Sequence, residues 1–198
     1  MTTLNRSKIV AVAQELFSQR GYANTSIEDI ANVLSVRKGA IHYHVSRKID
    51  LLVEIVRSLL VPITEDIIQL AETPLDPPTK LRRAIGIHVA GLLSSETAAR
   101  VFFEERRELP PGAQQDFGHL EDSIRDSFER IVSAGIADRS FRQQDPKLAV
   151  LHVLALCNWP YRWFRPNDPL TLEEVIASIQ AQALWGLVAS DSPARVSN

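Results

Sequence analysis

The sequence predicts an all-α protein of about nine helices, with a compact three-helix module in front of a larger helical body. Three observations carry this expectation. Apolar residues recur at helical spacing along the chain, and no stretch of β-alternation competes with them. Capping residues and proline-rich breaks fall between the periodic segments. The charge is also uneven: residues 1–65 hold eight Lys/Arg against six Asp/Glu, and residues 66–198 hold fourteen against eighteen. A basic front and an acidic body fit a protein that meets an anionic polymer at one end only. A division into 1–65 and 66–198 follows.

In order along the chain, Ile9, Ala13, Leu16 and Phe17 form the stripe of a first helix, and Gly21 ends it. Thr25 opens T-S-I-E, which reads as a capping box with Thr25 as cap and Glu28 at its third position. Ile27, Ile30 and Ala31 give the buried face of a short second helix. A brief turn near Leu34–Val36 leads to a third, from about Arg37 to His44. Ser46 is the expected cap of a long fourth helix reaching Glu72, with Leu52, Ile55, Val56, Leu59 and Ile63 inward and Pro62 as a point of bending. Pro74, Pro77 and Pro78 mark the loop after it. Further helices are expected near 79–93, 96–107, 111–136, 145–164 and 171–189, the last capped by Thr171 and Glu174. Ser190–Asn198 reads as a frayed end.

Composition narrows the function. The 198 residues carry a net charge of −2 and 45% hydrophobic residues, as in an ordinary globular protein. Cys157 is the one cysteine, which excludes an internal disulfide and a Cys-rich zinc site and fits a reducing compartment. No apolar stretch approaches the roughly 20 residues that span a bilayer, and the N-terminus is polar. A cytoplasmic protein without a membrane partner or a cofactor is expected.

Two short helices joined by a tight turn and braced by a longer one can place the second of the pair in a DNA major groove. The helix-turn-helix is expected at about 25–44. Three details support it. Gly39 sits inside the third helix, where glycine costs roughly 1 kcal/mol relative to alanine, and its bare backbone allows close approach to DNA. Arg37 and Lys38 open that helix, and Arg47 and Lys48 open the next. Such cations oppose the helix dipole unless a phosphate joins them. His42, Tyr43 and His44 can contact phosphates or base edges. They do not suggest a metal, because residues two apart point to different sides of a helix.

The run V-R-K-G-A-I-H-Y-H-V-S-R-K, with Leu51 and Leu52 after it, resembles the recognition segment of TetR-family regulators. So does the upstream set Ala13, Leu16, Phe17, Gly21, Tyr22, Thr25, Ser26, Ile27, Asp29, Ile30 and Ala31. The resemblance covers residues 6–52. It implies phosphate contacts by Thr25, Ser26, Tyr43 and Lys48 and base reading by Arg37, Lys38 and Ala40. His42 stands where the family usually has tyrosine. The resemblance also implies a homodimer through the last two helices, bound to a palindromic operator in double-stranded DNA and released by a small effector. The apolar circumference of those helices, with Leu148, Ala149, Leu151, Leu154, Ala155 and Leu156, agrees.

N-W-P-Y-R-W-F-R-P-N-D-P-L-T is the most distinctive stretch of the body. Pro160 interrupts a helical run there, and Trp159, Arg162 and Trp163 share a face at helical spacing. This stretch resembles a TetR branch that senses acyl-coenzyme A thioesters of fatty-acid or sterol catabolism. That branch implies an apolar tunnel with Phe102 and Phe103 as wall, Arg100, Arg106 or Arg107 as charge, and Asn158, Trp159, Arg162 and Trp163 at its mouth. The same aromatics fit dimer and core packing equally well, with the arginines met by Glu104, Glu105 or Asp168. A multidrug-sensing regulator of efflux stays open, since its pocket is also aromatic. So does an architectural DNA binder, against which the acidic body stands. An acyl-thioester-processing enzyme has His88, Ser94, His119 and His152 available, but no nucleophile elbow, phosphate loop or metal-spaced pair.

Overall fold

In the computed structural model of the chain, residues 4–165 and 169–187 are described, Glu96 without its side chain. Ser190–Asn198, Pro166 and Asp168 lie outside them. Nine α-helices occur among the described residues: α1 (Arg6–Arg20), α2 (Ile27–Val33), α3 (Lys38–His44), α4 (Lys48–Ala71), α5 (Pro77–Leu93), α6 (Glu96–Glu105), α7 (Pro111–Ala137), α8 (Pro146–Asn158) and α9 (Leu172–Leu187). Short 3-10 turns follow α6 at Arg106–Glu108 and α8 at Trp159–Arg162. Two compact units result. The first comprises the chain up to Pro62 together with Gly91–Glu121; the second comprises Ile63–Ala90 and the chain from Asp122 on. A single cut near residue 65 therefore does not describe the packing, because α6 and the start of α7 belong with the N-terminal helices.

Ile9, Ala13, Leu16 and Phe17 of α1 are buried as their spacing predicts, and Ile27, Ile30 and Ala31 of α2 meet the same expectation. The cap of α2 differs by one residue. Ser26, not Thr25, is the cap, and Asp29, not Glu28, completes the box: the Asp29 N–H donates to Ser26 Oγ at 3.1 Å and the Ser26 N–H to Asp29 Oδ2 at 2.7 Å. Thr25 is pulled inward, its hydroxyl donating to the Gly21 carbonyl at 3.0 Å. Similarly, α4 starts at Lys48, so Ser46 is not its cap; Asp50 Oδ2 accepts the Arg47 N–H at 3.0 Å instead. Pro62 lies inside α4.

In the second unit Ile67, Leu81, Ile85, Phe128, Val132 and Val150 are buried among the apolar core. A Cβ on Gly135 would stand 2.2 Å from the Phe141 ring, so that glycine gives the ring its room on α7. Pro160 is not inside α8. The hydrogen bonding of α8 ends with the Trp159 N–H on the Ala155 carbonyl, and the chain tightens into the 3-10 turn, which suits a residue with no N–H to donate. Thr171 and Glu174 form the expected box before α9, with the Thr171 N–H on Glu174 Oε2 at 2.8 Å and the Glu174 N–H on Thr171 Oγ1 at 3.2 Å.

Candidate nucleic-acid interface

The third helix is held by little of its own. Of its seven residues only Ile41 is buried. Lys38, Gly39, His42 and Tyr43 are exposed, Tyr43 to 87%. A Cβ on Gly39 would meet nothing within 4 Å, so the glycine faces open space. Arg37 is exposed just before the helix and provides no side-chain cap. Helix α3 thus presents Lys38, Gly39, His42 and Tyr43 to solvent, as a segment that docks elsewhere does.

A shallow cleft beside it is lined by Asn24, Thr25, Ser26, Lys38, His42 and Lys48 among others, at the N-terminus of α2. Backbone N–H groups and two lysines there provide for an anion. Lys48 also acts as an internal strut. Its Nζ donates to the carbonyls of Tyr22 at 2.7 Å and Thr25 at 2.8 Å and lies 3.9 Å from the Tyr22 ring centre. Burial lowers its pKa, against the opposing pull of Glu108, Glu105 and Asp29. Among the other expected cations, Arg47 pairs with Asp50 at 2.8 Å and Lys38 lies 3.8 Å from Glu28. The Thr25 hydroxyl is spent on the Gly21 and Leu16 carbonyls, and its N–H on the Tyr22 carbonyl at 3.2 Å, so Thr25 shapes the cleft from behind.

The effector candidates fall into two sets. Arg100, Phe102, Phe103 and Arg106 belong to the first unit. Phe102 is buried against Phe103, ring centres 4.8 Å apart, and Arg106 pairs with Glu121 at 2.6 Å. In the second unit, Trp159 and Trp163 line a half-open cavity of about 430 Å³ with Leu156, Leu170, Val175 and Ile179. Arg162 is exposed and does not line it, contrary to the helical spacing expected. Trp159 and Trp163, four residues apart, share the cavity, while Arg162 turns to solvent. Asn158 is engaged elsewhere, with His88 at 2.7 Å.

Residues 9–55 match the description "Bacterial regulatory proteins, tetR family", and residues 74–187, more than half of the chain, match "Tetracyclin repressor-like, C-terminal domain". The chain belongs to the TetR family. It is therefore a helix-turn-helix regulator of transcription, of a family that binds DNA as dimers. Among similar TetR proteins is the HTH-type transcriptional repressor KstR2 of Rhodococcus jostii, 25% identical over 186 residues, covering 92% of this chain and 90% of that one. The TetR regulator PfmR from Thermus thermophilus is 29% identical with a TM-score of 0.84, covering 91% and 99%. AibR, solved in complex with isovaleryl coenzyme A and operator DNA, shares the fold at 21% identity and a TM-score of 0.78, covering 89% and 96%.

Two features of the TetR chain escaped the sequence reading. One is the brace on the DNA-reading module: the Tyr22 N–H donates to Glu105 Oε1 of α6 at 2.8 Å, and Gln14 Nε2 donates to Ser95 Oγ at 2.8 Å. No local pattern marks contacts of that sequence separation. The other is His88, buried in the α5 stripe with Leu81, Ala84, Ile85 and Val89. Its signal was available, since a lone histidine on an apolar face needs a polar partner.

Proposed function

We propose that this TetR-family chain is a repressor that binds a palindromic operator as a homodimer and leaves it when an acyl-coenzyme A thioester binds its body. Residues 1–65 carry the DNA reading and residues 66–198 the effector site and the dimer face; no catalytic step is assigned. The observation that carries the reading is the exposed third helix, whose one buried residue is Ile41, beside a cleft that gathers Ser26, Lys38, His42 and Lys48. Arg37, Lys38 and Ala40 read bases, and Ser26, Tyr43 and Lys48 hold phosphates. The likeness to KstR2, named a transcriptional repressor, supports the sign of regulation. The AibR complex supports the effector class only as a protein of the same fold.

The dimer face follows from α8 and α9. Helix α8 buries Ala149, Val150, Val153 and Cys157 against its own chain, yet Leu148, Leu151, Leu156 and Trp159 are exposed on another side. On α9, Ala177, Ser178 and Ala181 are exposed small residues, and Trp185 is 90% exposed. A helix apolar on two sides requires a partner, and a two-fold copy is its simplest form. Helix α4 contributes residues to both compact units. It is the covalent route by which an effector that prefers one state of the body shifts the population that binds DNA.

The test begins with an operator selected from a random DNA library. Binding is followed by fluorescence anisotropy at fixed salt while isovaleryl and decanoyl coenzyme A are added, with a lipophilic cation as the contrasting compound. Release by a thioester alone is expected. Release by the cation alone transfers the protein to the multidrug reading.

A further inference from the structure

Two buried side-chain atoms of the second unit have no hydrogen-bond partner among the described residues, Gln144 Nε2 and His88 Nδ1, and the second belongs to a ring set between three helices. His88 of α5 is 6% exposed, and its Nε2 meets Asn158 Oδ1 of α8 at 2.7 Å. An amide oxygen only accepts, so Nε2 carries the ring proton and Nδ1 presents a lone pair. Nδ1 is buried, and no described residue donates to it. Phe128 of α7 packs against the imidazole at a ring-centre distance of 6.2 Å and 89°, and it brings no donor. A second proton on the ring would not help. Burial already holds the imidazole below its ordinary value, with Asn158 opposing, and the new N–H would be as unpartnered as the lone pair.

Folded cores pair nearly all such groups, so an unpaired one asks what else meets it. The tautomer decides the answer. The group that satisfies Nδ1 must donate, so a carbonyl or an ether oxygen does not serve. An apolar environment disfavours an ammonium, which leaves a neutral donor. We propose that His88 is the recognition point for a hydroxyl-bearing effector, whose O–H donates to His88 Nδ1 while Asn158 holds the tautomer that lets this nitrogen accept. The proposal rests on the reading that the body binds an effector and adds a group which that effector carries. Asn158 is the positioning residue: it holds His88 from α8, away from the cavity between α8 and α9, which neither of the two lines. A site built this way rejects an analogue that lacks the hydroxyl, because the buried nitrogen then stays unpaired.

Two pairs of probes test it on the full chain: 3-hydroxydecanoyl against decanoyl coenzyme A, and 1-decanol against decyl methyl ether. Affinities come from calorimetry, and the Nδ1 resonance of His88 is followed in protein labelled with nitrogen-15 histidine. The hydroxylated member of a pair is expected to bind about tenfold tighter, the effect of one hydrogen bond to a buried group. It alone should move the Nδ1 resonance. In the double variant His88→Phe, Asn158→Leu both polar partners become apolar, and the preference is expected to vanish. Thermal melting checks that this variant is folded; the resonance in the unaltered protein does not depend on it. Thioesters that bind with no preference in either pair, or a preference that survives in the folded double variant, overturn the proposal and leave the thioester reading standing. If no thioester binds but decanol is preferred through His88, the thioester reading falls and this one holds. A resonance that neither pair moves means that solvent is the partner of Nδ1, and the proposal falls.

Discussion

Two of the three N–H bonds of the Lys48 ammonium go to the Tyr22 and Thr25 carbonyls, which leaves one for a phosphate. Lys48→Ala should therefore do two separable things. It should lower the melting temperature, by freeing the loop between α1 and α2. It should also weaken DNA binding at every sequence and reduce the log–log salt slope by about 1. Circular dichroism reads the first effect and anisotropy across salt the second; a lower melting point with an unchanged slope would leave Lys48 a strut only. The motif pointed to Lys48, but the strut was not legible because its acceptors are backbone atoms. His88 gives the second prediction at this scale. Its folded-state pKa lies below the ordinary 6.5, first because of burial, so the unfolded chain binds the proton more readily. The stability it allows is complete above pH 6.5 and is lost as pH falls below it. Melting between pH 7.5 and 5 should show this loss, and His88→Phe should flatten the dependence. An equally steep profile in the variant would assign the loss to other groups.

The helices themselves were legible from periodicity, and most of their ends were placed within a few residues. The errors came at caps, where neighbouring candidates compete. Thr25 and Ser26 both satisfy a capping pattern, and which one caps depends on whether Thr25 finds acceptors behind it. It does, in Gly21 O and, at 3.4 Å, Leu16 O. Ser26→Ala should therefore destabilise the first unit by about 1 kcal/mol as a lost cap. Thr25→Ser should be milder, because it keeps the inward hydroxyl. Denaturant unfolding compares them, and a larger loss for Thr25→Ser would return the cap to Thr25. Gly21 was read correctly as a terminator. Its φ of 82° favours glycine, and a Cβ there would stand 3.2 Å from Glu105 Oε1, the acceptor of the Tyr22 N–H. Gly21→Ala should cost about 1–3 kcal/mol of backbone strain and should also disturb the α6 brace. The face expected of Trp159, Arg162 and Trp163 is kept only by the two tryptophans, which line the cavity, while Arg162 is exposed.

At the scale of the molecule the dimer links the two functions, because one helix-turn-helix offers too few contacts for tight specific binding. The exposed apolar residues of α8 and α9 were foreseen from a helix with almost no polar side, which needs no knowledge of the tertiary contacts. What the pattern could not divide was packing from ligand. Trp159 is 61% exposed and lines the cavity, so it serves the dimer face and the pocket by the same exposure. Leu151 separates them, since it is exposed on α8 and does not line the cavity. Leu151→Arg places a charge where a copy of the same residue or its neighbours would lie, and like charges across a two-fold interface repel twice over. Sedimentation should show a shift from dimer to monomer at micromolar protein. The monomer should still bind DNA weakly at any sequence, with a salt slope about half that of the dimer because it neutralises half the phosphates. Specific operator binding should be lost, while thioester binding, if the cavity is complete within one chain, should persist. A variant that remains dimeric would move the interface away from α8. Loss of thioester binding together with the dimer would instead show that a second copy completes the cavity.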